Sequence, residues 1–281
     1  GLIFLISIIA TLGIKKVKFK PLYLVEGAHE SGNFYNSFFS NFSKIFFIYF
    51  ITTIFVILVF TLANLRLFDA FNLAFTTMSS GGFLHKESLS LILKNNFQVL
   101  ILSILLLLPI FNFYIFYKIF IKKEKMNEHY EDFHLATLVS ILTLVLYFFF
   151  IPNENLSNVL LVVVSCLSNS GINMYSSDYD LSLLLIIVTM IGGSAVSTSS
   201  GIKYVRLYIL TKISYLEIYK LAKPLNVFNR NLFSSNKIID NEDLKISFFV
   251  FISFIFGIFL LSSILSFDNI NFESSFKLSI L

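Results

Sequence analysis

One apolar run in this chain stops after about half the length of a membrane span and is followed by small and hydroxylated residues. The run Leu181 to Ile191 precedes GGSAVSTSSG at Gly192 to Gly201, and a second apolar stretch follows Lys203. At about 1.5 Å per residue, a helix that enters a bilayer at Leu181 reaches its middle near Ile191. The sequence therefore predicts a helix broken inside the membrane, where protein or a water-filled cavity must surround the backbone. Such breaks are typical of channels and transporters.

The sequence as a whole has the composition of a membrane protein. It is 56% hydrophobic and 14% charged, whereas an ordinary globular domain has about 25% charged residues. Most of its long apolar runs approach the ~20 residues needed to cross the hydrocarbon core. These runs are Leu2 to Ile14, Ile45 to Ala63, Phe97 to Phe120, Leu135 to Ile151, Leu181 to Ile191 continuing past Gly201, and Ile246 to Leu265. We therefore predict an all-α polytopic membrane protein.

Three shorter stretches lie between these runs, at residues 68–83, 156–172 and 271–281. Each is too short or too rich in Ser and Asn to cross a bilayer, so we predict re-entrant hairpins. Seventeen of the twenty-one Lys and Arg residues lie on the other side of the spans, at residues 15–44, 118–134 and 203–245. An excess of basic residues marks cytoplasmic loops, so the hairpins enter from the outer face. Because these lysines flank spans, we expect no nucleic-acid partner.

Two of the hairpins are similar at an interval of 89 residues. SSGGF at Ser79 to Phe83 aligns with SNSGI at Ser168 to Ile172, and an apolar segment of half-span length precedes each. Residues 70–75 also match residues 275–280, at an interval of 205. We interpret the chain as one integral membrane domain, residues 1–281, built from span–hairpin–span units. The parts are the end of a first unit (1–29), a second unit (30–125), a third unit (126–216) with the broken helix at 181–216, a cytoplasmic amphipathic linker (217–245) and the start of a fourth unit (246–281).

The residues of the hairpin tips are of the kind that allow backbone carbonyls to bind an ion selectively. An ion that crosses a membrane exchanges its water shell for other oxygen ligands, and backbone carbonyls serve well where the chain after a short helix is extended. Glycine allows the backbone angles that turn successive carbonyls to one side. The segments before these tips carry almost no charge, so carbonyl dipoles would set a preference for cations. The plainer interpretation, that both tips are surface turns, would suit a receptor or scaffold without transport.

Three segments, in this order, resemble the Trk/Ktr/HKT superfamily of potassium transporters, specifically the bacterial Trk-type pore subunit. Leu67 to Leu89 resembles the second pore loop of that family, and Val162 to Ser182 resembles the third. Ile191 to Leu210 resembles the broken helix that follows the third loop. The spacing of the spans agrees over nearly the whole chain.

The resemblance implies four span–pore-loop–span units in a pseudo-four-fold arrangement around one path for potassium, with one filter glycine per unit. Potassium would bind at Gly82 and Gly171 as the transported ion, and no cofactor is implied. The implied filter residues are Ser80, Gly81, Gly82, Phe83, Asn169, Ser170, Gly171 and Ile172. The implied intramembrane gate is Gly192, Gly193, Ser194, Ala195, Val196, Ser197, Thr198, Ser199, Ser200 and Gly201.

The resemblance also implies partners and a location. The expected partners are a second copy of the protein, a cytosolic nucleotide-binding regulatory subunit and the lipid bilayer, and the expected location is the inner (plasma) membrane, crossed several times. The chain departs from the family pattern at three positions. Val196 and Ser200 stand where the family usually has glycine, and Ile172 stands where an aromatic residue is common.

Other polar residues have plain interpretations. Glu128 to His134 matches no zinc-ligand spacing, so we expect a solvated cytoplasmic loop. His85 and Lys86 follow a hairpin tip and are expected to be exposed, although they could tune ion access. Lys203 and Arg206 are either partners of the gate or anchors at the membrane surface. Pro109 and Asn112 predict a kinked helix supported by a packed amide.

The alternative function is a broken-helix secondary transporter of another cation or a small solute. It would need a polar or charged side chain in a cavity at mid-membrane depth, and the predicted spans contain no Asp or Glu. The predicted spans also lack the combination of a nucleophile, a base and a group that orients the base, which a catalytic site requires. We therefore do not expect an enzyme.

Overall fold

The computed structural model describes residues 34–112, 130–152, 154–172, 174, 182–195, 197–223, 229–233, 238–268 and 270–280. Several predicted features lie outside these residues: the first apolar run, Leu2 to Ile14, most of the basic segments at 15–44 and 118–134, Val196 of the gate, and Leu281.

Nine α-helices make up most of the described residues. They are α1 (Phe34–Leu62), α2 (Leu67–Ser79), α3 (Asn96–Leu105), α4 (Tyr130–Val145), α5 (Leu156–Ser168), α6 (Ser182–Ile191), α7 (Tyr204–Ala222), α8 (Asn241–Phe267) and α9 (Phe272–Ile280). A π-helical turn, Leu146–Phe150, continues α4, and a 3-10 turn at Leu89–Leu91 precedes α3. The prediction of an all-α fold agrees with these elements.

Helices α2 and α5 begin the two predicted hairpins. Each has 13 residues, which gives a length of about 20 Å, too short to cross the ~30 Å hydrocarbon core. Each ends at a serine, Ser79 or Ser168, shortly before the glycine of its tip. The predicted broken helix is also present, because α6 ends at Ile191 and α7 begins at Tyr204.

Two helices in the described part of the chain, Tyr130–Phe150 and Asn241–Phe267, are long and apolar enough to cross a membrane. On α8, Phe249, Phe256 and Phe267 are 72%, 67% and 86% exposed, and so much aromatic surface requires an apolar environment. The hydroxyls of Thr143 and Ser247 each donate to the carbonyl one turn earlier, at 2.7 Å. Their polar groups are thereby satisfied within their own helices, as a lipid environment demands.

Helix α5 is at the centre of the packing. Its apolar side chains Leu161, Val164 and Leu167 are completely buried, and it packs against α3, α4 and α6. Helix α2 packs against α1, and α9 packs against α8 and contacts α6. Near the ends of the two short helices, Met78 of α2 and Ser168 of α5 are completely buried, and residues of the break between α6 and α7 contact both ends.

Candidate functional site

The two hairpins have the same backbone conformation. The residue after α2, Ser80, is left-handed with φ 53° and ψ 35°, and the residue after α5, Asn169, has φ 56° and ψ 30°. Two residues later, Gly82 has φ 70° and Gly171 has φ 63°. Each of these positions is separated from its counterpart by the 89 residues found in the sequence.

The same hydrogen bonds end both helices. The backbone N–H two residues after each helix donates to a carbonyl five residues earlier, from Gly81 to Thr76 and from Ser170 to Ser165, at 3.1 Å in both cases. These bonds satisfy carbonyls that the last helical turn leaves without a partner. The segment after each helix therefore leaves it in the same direction, towards the glycine of the tip.

The hairpin tips lie against each other. A Cβ atom added to Gly82 would be 1.9 Å from the carbonyl oxygen of Ser170, so the backbone of the first tip contacts the backbone of the second. A Cβ atom added to Gly171 would have no atom within 4 Å. Gly171 therefore borders open space, whereas Gly82 has no room for a side chain.

The other predicted filter residues divide into buried and exposed positions. Ser170 and Ile172 are buried at 6% and 2% exposure, whereas Phe83 is 84% exposed. Gly81 is exposed and Ser80 is partly buried. The Thr76 hydroxyl donates to the Phe83 carbonyl and thereby holds the segment that follows the tip against α2.

The predicted gate residues form a loop that returns to its starting point. Gly192 and Gly201 are in direct backbone contact, since a Cβ on Gly201 would be 3.0 Å from the Cα of Gly192. Both have positive φ, 68° and 90°. The N–H of Ile202 donates to the Met190 carbonyl at 3.1 Å. We call residues 192–201 the gate loop, and of these Val196 lies outside the described residues.

The gate loop is bound to the segment after α3. Its Ser194 and Thr198 N–H groups donate to the carbonyls of Ile110 and Pro109, at 2.9 and 3.2 Å. The expected helix across Pro109 ends at Leu105. In the turn that follows, carbonyls that would accept hydrogen bonds within a regular helix are free of such bonds within the described part of the chain. They accept from the N–H groups of the gate loop instead.

The gate loop also contacts the ends of both hairpin helices. The Thr198 hydroxyl donates to the Met78 carbonyl near the end of α2, at 3.0 Å, and lies 3.4 Å from the Ser80 hydroxyl. The Ser200 hydroxyl contacts the Asn169 side chain. When the Asn169 amide is oriented to satisfy its partners, it accepts from Ser200 and donates to the Thr189 carbonyl of α6 at 3.0 Å. Ser200, a departure from the family pattern, thus connects the gate loop to the second tip.

Lys203 is a partner of the gate loop, which decides between the two interpretations of this residue. Its ammonium donates to the Ser197 carbonyl at 3.2 Å, to the Ser197 hydroxyl at 2.9 Å and to the Ser199 carbonyl at 2.5 Å. The Ser199 hydroxyl in turn accepts from the Gly193 N–H at 2.9 Å. Arg206 donates to the carbonyl of Ile202, four residues earlier in the sequence, at 3.2 Å.

The expectation of a solvated loop at Glu128 to His134 is wrong for its described residues. Helix α4 begins at Tyr130, and Asp132 is buried at 8% exposure. A Glu131 carboxylate oxygen accepts from the Ala195 N–H of the gate loop, and one of Asp132 accepts from the Asn112 N–H, each at 2.9 Å. The sequence carries no signal for these contacts, because both donors are backbone N–H groups. No group of three or more potential metal ligands occurs among the described residues.

His85 is exposed as a residue, as predicted, but its imidazole is largely covered by its partners. The imidazole Nε2 lies 2.8 Å from the carboxylate of Asp69, in the first turn of α2, and the Lys86 ammonium lies 3.3 Å from the same carboxylate. The His85 and Asp69 side chains are only 17% and 9% exposed. This cluster ties the start of the first hairpin helix to the chain that leaves its tip.

We expect Asp69→Asn to lower the stability of the protein, because the amide keeps one acceptor oxygen but loses the charge that both partners bind. Hydrogen bonds to charged groups contribute about 1.5–3 kcal/mol. Thermal unfolding of the purified full-length protein measures the change. Glu273→Gln is the control, since Glu273 pairs with Lys277 at 2.7 Å but is 80% exposed and should contribute less than about 1 kcal/mol. Equal unfolding midpoints would contradict the role of Asp69.

Comparison with known proteins identifies the fold. The structure is similar to that of the potassium transporter TrkH from Vibrio parahaemolyticus, with a TM-score of 0.71 and 22% sequence identity. The match covers 94% of this chain and 55% of that one, so the chain spans about half the length of the transporter. No protein-family model and no curated protein matches the sequence. The predicted resemblance to the Trk/Ktr/HKT superfamily is confirmed at the level of the fold, and the pseudo-four-fold arrangement stays a prediction.

Proposed function

We propose that this chain, which has the fold of a potassium transporter, forms the central part of a membrane protein that takes up potassium. Potassium would pass from the outer side along the carbonyls at Gly82 and Gly171 and then past the gate loop. The shared fold supports transport as the general function. The two hairpins with equal backbone geometry support a filter made of repeated elements.

The observation that carries this proposal is the position of the gate loop against both hairpins. A path that runs along the two tips would pass the loop, because Thr198 is bonded to the end of α2 and Ser200 to the residue after α5. An ion at the tips would find backbone carbonyls as ligands, since no described side chain of the tips is charged. Carbonyl oxygens suit a monovalent cation that must both bind and leave.

The proposed filter residues are Ser80 to Phe83 and Asn169 to Ile172. The open space beside Gly171 leaves room for an ion there. Two further tips would be needed to complete a filter of four units, and α9 would begin one of those hairpins. Helices α8 and α9 would begin the last unit, because α9 follows a long apolar helix and packs against it, as α2 follows and packs against α1.

We further propose a location in the inner (plasma) membrane, with several crossings and with the basic segments in the cytoplasm. The exposed aromatic side chains of α8 support lipid contact. A second copy of the protein and a cytosolic nucleotide-binding subunit are the proposed partners, on the resemblance to the Trk-type family. The regulatory subunit would act on the gate loop from the cytoplasmic side.

Gly171→Asp tests the filter. The new side chain has space, so the protein should fold, but a carboxylate beside the carbonyls would hold a cation too strongly to release it. We expect potassium uptake by cells that lack other uptake systems to be lost in the full-length variant. Gly171→Ala is the matched control: it carries the same backbone strain, about 1–2 kcal/mol, without the charge, and should retain uptake. A folded Gly171→Asp protein with the uptake rate of the parent would refute the filter assignment.

A further inference from the structure

Three oxygens of the gate loop accept from the side-chain ammonium of Lys203. The carbonyl oxygens of Ser197 and Ser199 lie 3.2 and 2.5 Å from Nζ, and the Ser197 hydroxyl lies 2.9 Å from it. An ammonium has three donors and no acceptor, so these oxygens use its full hydrogen-bonding capacity. The segment from Ser197 to Ser199 therefore directs its oxygens at one positive charge.

The hydroxyl groups of the loop are held by other residues of the same loop. The Ser197 hydroxyl donates its proton to the Ser194 carbonyl at 2.7 Å, so its oxygen is left to accept from the ammonium. The Ser199 hydroxyl accepts from the Gly193 N–H and lies 2.9 Å from the Ser197 hydroxyl, to which it can donate. Ser197 and Ser199 are both buried. The loop thus fixes these oxygens in a place where an acceptor without a partner is costly.

Lys203 holds its position in spite of two unfavourable conditions. Its backbone has φ 77°, a left-handed angle that an L-residue adopts only where the surrounding structure requires it. Lys203 is also the N-cap of α7, and the N-terminal end of a helix carries a partial positive charge that disfavours a cation. The oxygens of the gate loop must compensate for both, which indicates that they bind a positive charge well.

We propose that the gate loop contains a binding site for one monovalent cation, and that the Lys203 ammonium occupies this site as a ligand attached to the chain. Carbonyl and hydroxyl oxygens suit a monovalent cation, and none of the three oxygens around Nζ belongs to a carboxylate, the ligand that divalent cations prefer. A free potassium ion cannot share these oxygens with the ammonium, because the two positive charges repel each other. The loop therefore keeps its shape at any potassium concentration. This inference concerns how the loop is held together and does not depend on its role as a gate.

The test is thermal unfolding of the purified full-length protein in detergent, with choline as the reference cation. Lys203→Ala removes a fragment equal to n-propylammonium. We expect this variant to unfold about 3 °C or more below the parent, because it loses hydrogen bonds to a charged group. Added n-propylammonium should raise its midpoint by more than it raises that of the parent, whereas 1-propanol, which has a similar shape and no charge, should not. Lys220→Ala is the matched control on α7: Lys220 pairs only with a carboxylate that is 55% exposed, so its response to these additives should equal that of the parent.

Lys203→Met tests the same site with the stem of the side chain in place. Methionine is shorter than lysine by one atom, the ammonium nitrogen, so we expect free ammonium ions to raise the midpoint of this variant by more than they raise that of the parent. If Lys203→Ala fails to fold, the response of Lys203→Met to ammonium decides the question. A midpoint of Lys203→Ala that n-propylammonium raises no more than that of the parent, or that 1-propanol raises equally, would overturn the cation site. Loss of potassium uptake is a separate measurement and bears only on the proposed function.

Discussion

Gly82→Ala is expected to abolish potassium uptake and to destabilise the protein. The added methyl would be 1.9 Å from the Ser170 carbonyl oxygen and 3.0 Å from the carbonyl carbon. Ser170 cannot easily withdraw, because its N–H is bonded to the Ser165 carbonyl at 3.1 Å. Gly82 also has φ 70°, an angle that costs an L-residue about 1–2 kcal/mol, and forced overpacking adds about 1–3 kcal/mol. The tips must move apart, and the carbonyls between them lose their positions.

The measurement is thermal unfolding of the full-length protein together with potassium uptake in cells. Gly257→Ala is the matched control, because a Cβ on Gly257 would have no atom within 4 Å and the residue lies inside α8. It should leave uptake unchanged and stabilise the helix by up to about 1 kcal/mol. Equal unfolding midpoints and uptake for the two variants would show that the tips do not touch at Gly82.

Gly192→Ala is expected to open the gate loop. Its methyl would be 2.2 Å from the Ser200 carbonyl oxygen and 3.2 Å from the Cα of Gly201, so the two ends of the loop could no longer meet. With φ 68°, the same strain and overpacking apply, together about 2–5 kcal/mol. The loop would then leave its place against the hairpins, and ions would pass without regulation.

Rubidium flux into liposomes, in the absence of any regulatory partner, measures this opening. We expect at least about a tenfold increase, since 1.4 kcal/mol corresponds to a factor of ten in an equilibrium, and we expect no increase for Gly257→Ala. A Gly192→Ala protein that is folded and has the flux of the parent would argue against a gate in this loop.

The hairpins and the break could be predicted because their signals are local. An apolar segment of half-span length followed by a polar and glycine-containing tip marks where each hairpin helix ends, and the structure ends α2 at Ser79 and α5 at Ser168. The run from Gly192 to Gly201 likewise cannot continue a helix. The division of the chain into units and the roles of the individual filter and gate residues stay predictions.

The contacts between these elements could not be predicted. Thr198 meets Met78 across 120 residues of sequence, and its partner is a backbone carbonyl, which every residue carries. Glu131 and Asp132 appeared solvated because an acidic pair before a span usually faces water. Their burial is possible because they accept from the N–H groups of Ala195 and Asn112. These donors are again backbone groups far away in the sequence, and no residue type identifies them.

The hydrogen bonds from Thr198 to α2 and from Ser200 to Asn169 have a consequence for how potassium and the loop affect each other. In the proposed function, one set of bonds holds both the ion-binding tips and the loop, so the free energies of the two are linked, and linkage is reciprocal. If ion occupancy favours the closed loop by some factor, opening the loop weakens ion binding by the same factor. Potassium is then an effector of its own transport, and its external concentration helps to set how readily the path opens.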